Sequence, residues 1–103
     1  MNVVCENFRV DVKGGLRGFC DLTIEPLGVR LFSCKLFIVG PRQWIEFPSR
    51  QFESQGKKRW VRTIDFTTRA GHEAFQAAAL EAIRKFRLQS KEQAALLRSG
   101  VAE

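Results

Sequence analysis

Of the residue types able to do covalent or acid–base chemistry, this 103-residue chain has one histidine, three cysteines and eleven acids. Only His72 is of the residue type suited to act as a base near neutral pH. It falls on the apolar side of a predicted helix, near its start, where a packed or half-exposed structural histidine is the simpler reading. The carboxylates Asp11, Asp21, Glu46 and Asp65 are scattered. Glu46 and Asp65 stand on adjacent predicted strands and could approach one another, but pairing with Arg59 or Arg62 across a hairpin accounts for them more simply. Cys5, Cys20 and Cys34 form no CxxC pair, and a single histidine cannot complete a metal-ligand set. Gly14-Gly15 is a turn signal, not a phosphate loop. We therefore expect no catalytic, cofactor-binding or metal-binding residue and no small-molecule substrate.

The cations carry more information. Lys and Arg number 17 against 11 acids, a formal net charge of +6, with a pI near 9.8. Such a balance favours nucleic acid or another anionic surface as partner. Eleven of the cations are arginines, which suit bidentate phosphate contact and stacking. They gather in a predicted loop (Arg42, Arg50, Lys57, Lys58, Arg59, Arg62) and on a predicted helix (Arg69, Arg84, Lys85, Arg87, Lys91). Between Ser49 and Arg62 the lone acid is Glu53, against five cations. The tryptophans, Trp44 and Trp60, flank this run. They either pair across a hairpin or stack on bases at its rim.

These residues need a frame. Val3 to Val12 alternates, with Val4, Phe8, Val10 and Val12 on one face. Leu16 to Ile24 alternates with Leu16, Gly18, Cys20, Leu22 and Ile24 facing one way and Arg17, Phe19, Asp21 and Thr23 the other. Val29 to Val39 puts Phe32, Cys34, Leu36 and Ile38 on one face, with Ser33, Lys35 and Phe37 opposite. Trp44 to Pro48 and Arg59 to Phe66 read as neighbouring fourth and fifth strands. Lys13-Gly14-Gly15, Glu25-Pro26-Leu27-Gly28 and Gly40-Pro41-Arg42-Gln43 are the turns, which implies an antiparallel meander.

After Thr67-Thr68, either of which can cap a helix, the period changes. His72, Phe75, Ala79, Ala82, Ile83 and Phe86 share one helical face. Ser90-Lys91-Glu92-Gln93 fits a capping box and predicts a second short helix to about Arg98, closed by Gly100; one continuous helix is the alternative. The expected fold class is α+β: a curved, antiparallel four- to five-stranded sheet followed by a C-terminal amphipathic helix. Residues 1–88 would form the domain and 89–103 a short helical or mobile tail.

On that frame Arg9, Arg17, Phe19, Lys35 and Phe37 share the face away from the helix. Cations there would track phosphates and rings would stack on unpaired bases. Burial of Phe19 and Phe37 in a dimer interface is an equal alternative.

The segment from Val29 to Ile83 resembles the SpoVG family of small bacterial nucleic-acid-binding regulators. The residues that carry this are Lys35-Leu36-Phe37-Ile38-Val39-Gly40, then Trp44-Ile45-Glu46-Phe47-Pro48-Ser49-Arg50, then Ile64-Asp65-Phe66-Thr67-Thr68-Arg69 before an alanine-rich helix. Upstream, Gly15-Leu16-Arg17-Gly18-Phe19 fits that family's second strand. Glu46 departs from its pattern, as does the longer, more basic loop. The resemblance implies a homodimer of sheet-plus-helix subunits, with Arg50 and adjacent cations on phosphate. In layout alone the chain is also similar to positive-cofactor-four and Whirly single-strand DNA binders.

The expected function is binding of single-stranded DNA or RNA through Arg9, Arg17, Phe19, Lys35, Phe37, Arg42, Trp44, Arg50, Lys57, Lys58, Arg59, Trp60 and Arg62, with a role in regulating transcription or replication. A protein-interaction adaptor is the alternative. No apolar run approaches a membrane span and no signal core opens the chain, so a cytoplasmic or nucleoid-associated protein with reduced thiols is expected.

Overall fold

The computed structural model describes residues 1–98, with side chains through Lys91. Strands β1 (Asn2–Lys13), β2 (Leu16–Glu25), β3 (Val29–Val39) and β4 (Arg42–Glu46) form one antiparallel sheet in the order β1-β2-β3-β4. Strands β5 (Ser49–Ser54) and β6 (Lys57–Arg62) form a separate hairpin, and helix α1 (Arg69–Arg98) follows. The α+β class and the meander are as expected. Among the described residues, no helix is long and apolar enough to cross a membrane.

The core lies between one face of the sheet and α1. Cys20 and Leu22 from β2, Leu31, Cys34 and Leu36 from β3, and Ile45 from β4 meet Phe75, Ala79, Ala82 and Ile83. Phe75 is wholly buried and packs on Phe47 and Phe66 at centroid distances of 5.0 and 5.3 Å. Gly18 is required by close packing, since a Cβ there would lie 2.5 Å from the Arg9 carbonyl oxygen and 2.6 Å from the Phe8 ring.

Four register irregularities interrupt the expected alternation, at Cys5/Asn7 and Val10/Lys13 between β1 and β2 and at Leu16/Gly18 and Cys20/Leu22 between β2 and β3. That at Leu16/Gly18 pairs Leu16 with Phe37 and so turns Leu16 to the outer face, correcting its expected place beside Gly18 and Cys20. Cys20 pairs with Cys34 but Leu22 pairs with Leu31, so Phe32 and Ser33 together oppose Asp21. Ser33 takes a positive φ of 57° at this bulge. The slip turns Leu31 inward and leaves Phe32 60% exposed, correcting the expected face of β3 at that residue. In β1 the register slips between Cys5 and Asn7. Val3 and Cys5 are therefore core residues, while Val4 is exposed. These last two bulges are held by Asp21, whose carboxylate accepts the Ser33 N–H at 2.9 Å and the Asn7 amide at 2.8 Å.

The expected neighbouring strands Trp44–Pro48 and Arg59–Phe66 do not pair. β6 pairs with β5 instead, through a two-residue turn, Gln55-Gly56, with φ of 54° and 73°. Two positive φ values mark the turn whose twist suits a hairpin. The presumed basic loop is thus itself a hairpin. Trp44 lies opposite Phe37 and Trp60 opposite Gln51, so the tryptophans do not face one another across a ladder.

Thr68 caps α1 by accepting the Gly71 N–H at 3.0 Å. The helix then runs unbroken through Ser90 to Arg98. No second helix starts at Ser90, because nothing between Gly71 and Gln89 stops the first. The expected division after residue 88 falls inside this helix, and Gly100 lies outside the described residues.

Candidate nucleic-acid interface

The outer sheet face, opposite α1, carries two rows of side chains set by strand register. One row crosses all four strands as Arg9, Phe19, Lys35 and Glu46. The next is Leu16, Phe37 and Trp44. Phe37 and Trp44 stack with centroids 5.3 Å apart and planes 8° from parallel. The Arg42 guanidinium lies 5.4 Å from the Trp44 centroid, and the Trp44 indole N–H donates to Glu46 at 3.2 Å. Phe19, Phe37 and Trp44 are half-buried. Arg9 donates to the Ser33 hydroxyl at 3.3 Å.

Arg17 is the exception among the expected face residues. It occupies the irregularity between Leu16 and Gly18, and its guanidinium turns back to donate to the Gly14 carbonyl at 2.8 Å.

The hairpin divides the remaining cations between two faces. In register, Trp60 shares a face with Lys58 and Arg62, while Arg50, Lys57 and Arg59 share the other. The Lys35 ammonium sits 5.7 Å from the Trp60 centroid, so the Trp60 side of the hairpin meets the outer sheet face. The hairpin base is held by Thr63, which donates to the Pro48 carbonyl at 3.0 Å, and by Phe47 against Phe66 at 5.8 Å. Among the described residues, ion pairs engage Arg62 with Asp65 and Arg69 with Glu73, both at 3.1 Å. No such pair involves Arg42, Arg50, Lys57, Lys58 or Arg59.

Between β4, the hairpin and the start of α1 lies a cleft of about 830 Å³, lined by Arg42, Trp44, Trp60, Arg62, Arg69 and His72 among others. His72 packs edge-on against Phe66 at 6.5 Å. Glu46 and Asp65 do not stand on adjacent strands: Glu46 ends β4, whereas Asp65 lies beyond the end of β6 and in no strand. Asp65 instead holds Arg62 and accepts the Phe66 N–H at 2.9 Å.

The helix cations separate from this surface. Arg84 pairs with Glu81, and Arg87 lies 4.7 Å from the centroid of Phe8, on the core side of the sheet. Of that group only Arg69 reaches the cleft.

Gln76 was not singled out from sequence. Its side chain accepts the Ile45 N–H and donates to the Ile45 carbonyl, both at 2.8 Å, so it closes the free edge of β4. A lone glutamine in an amphipathic helix carries no signal of such a role. No family model, curated protein or solved structure matches the chain.

Proposed function

We propose that the protein binds single-stranded DNA or RNA on the surface shared by the outer sheet face and the β5–β6 hairpin. The observation that carries this reading is the approach of Lys35 to Trp60. It joins the aromatic rows of the sheet to the hairpin face that carries Lys58, Trp60 and Arg62. Cations without acidic partners follow a phosphate backbone, and half-exposed rings accept bases. The SpoVG resemblance, through Pro48-Ser49-Arg50, points the same way.

The protein is non-enzymatic in this reading and works in the cytoplasm or on the nucleoid, regulating transcription or replication. It acts as a homodimer: β1 is an edge strand of 12 residues with Val10 and Val12 exposed, and a second copy would cover this edge. Titration of labelled single-stranded and duplex oligonucleotides, followed by fluorescence anisotropy, tests the reading. Tight binding of the single strand supports it, and no binding of either form at low ionic strength removes it.

A protein adaptor is the competing reading, favoured by exposed Phe32. A protein partner that co-purifies and persists after nuclease treatment would support that reading instead.

A further inference from the structure

The cleft runs beside β4, an edge strand. Such an edge ordinarily takes an extended peptide, which adds as another strand through backbone hydrogen bonds. Here that route is closed at Ile45, because the Gln76 amide already holds both backbone groups. An occupant has to be recognised by side chains. Those available are a bare indole (Trp60, 64% exposed), the partly exposed Val61 and Ile64, and the guanidinium groups of Arg42, Arg62 and Arg69. A flat ring with an anion beside it matches that set, and a nucleotide has both.

The two tryptophans of this cleft are not equivalent. Trp44 is engaged by Phe37, by Arg42 and, through its indole N–H, by Glu46. Trp60 has the Lys35 ammonium at 5.7 Å and is otherwise largely open. We propose that the cleft is a nucleotide subsite in which an unpaired base stacks on Trp60, its flanking phosphates meet Arg42 and Arg62, and Trp44 is a fixed wall. Bases in a duplex are already stacked and paired, so the subsite selects single strands. Asp65 does not prevent this, since an exposed ion pair is weak and Arg62 can exchange it for phosphate. The inference rests on the nucleic-acid reading and locates its base-dependent part.

The test compares two labelled single strands of equal length, one with bases and one with an abasic backbone, by anisotropy at low salt. The wild-type chain should bind the abasic strand about tenfold or more weakly. Trp60→Ala should lose most of the difference between the two strands, and should leave abasic binding unchanged. Trp60→Phe, which keeps a ring, should retain most of the difference. Equal wild-type affinity for the two strands overturns the subsite and leaves phosphate binding standing. An equal loss on both strands in Trp60→Ala overturns the role of Trp60. If neither strand binds the wild-type chain, the nucleic-acid reading falls and the subsite falls with it.

Discussion

The amide of Gln76 bonds both backbone groups of Ile45, at 2.8 Å each, and so stands where a fifth strand of the sheet would begin. An exposed edge invites pairing with another chain, and this helix side chain blocks it locally. Gln76→Ala should cost about 1–3 kcal/mol, because two partly buried backbone groups lose their partners. Gln76→Glu should cost at least as much at neutral pH, since its carboxylate accepts the Ile45 N–H but sets a second acceptor, in place of a donor, against the Ile45 carbonyl. Urea denaturation of the variants measures both, and a Gln76→Ala protein as stable as wild type would contradict the role.

Asp21 ties the bulges of β1 and β3 together. The Ser33 N–H is the main cause that holds its carboxyl below the usual carboxylate range, helped by the Asn7 amide and by the charges of Arg9 and Arg30, with burial opposing. A depressed folded-state pKa stabilises in full above the unfolded value of about 4, and that contribution is lost as pH falls through the folded value. Asp21→Ala should cost about 1–3 kcal/mol near neutrality. It should also flatten the decline in stability below about pH 4, measured by denaturation at stepped pH. An unchanged acid limb would show that Asp21 does not drive it.

Packing separates the aromatic residues. Phe75 is wholly buried, while Trp60 is largely exposed. Phe75→Ala should cost about 3–5 kcal/mol, whereas Trp60→Ala should stay within about 0.5 kcal/mol of wild type. Thermal melts of the two variants check the contrast. A large loss in Trp60→Ala would mean that the indole serves the fold.

Burial is the main cause that raises all three thiols: Cys5 to about 11, Cys34 to about 12, and Cys20 well above its ordinary value. Thiolate is the reactive form. The native protein should therefore react with a thiol reagent at pH 8 only as it unfolds, and all three cysteines should titrate in guanidinium chloride. Rapid labelling of any of them in the native state would contradict this burial.

The strands of the sheet are legible because alternation from Gly18 to Ile24 sets the inner and outer faces of β2, and β3 is bounded by its turns. What alternation hides is a bulge, which changes the phase without changing composition. Phe32, Val4 and Leu16 depart from the expected faces for that reason. The β5–β6 hairpin was hidden differently. Gln55-Gly56 lacks the Asn-Gly or Asp-Gly signature of its turn, and β6 is exposed at every residue, so no apolar period marks it. The cationic residues of the site were legible from composition. Their division between hairpin faces was not, because it depends on a register that no apolar pattern fixes. The fold of Arg17 back onto the Gly14 carbonyl and the Gln76 clamp are tertiary contacts without a local signal.

The central claim is that the hairpin cations meet phosphate, and the dependence of oligonucleotide affinity on salt tests it most directly. Wild-type protein and a Lys58/Arg62 double-alanine variant, which removes the hairpin cations on the face that meets the sheet, would be titrated with one single strand across a series of salt concentrations. For wild type, log affinity should fall linearly with log salt. The variant, still folded by circular dichroism, should show a slope shallower by about 0.7 for each phosphate contact removed. Binding that ignores salt, or a variant with the wild-type slope and affinity, would contradict the claim.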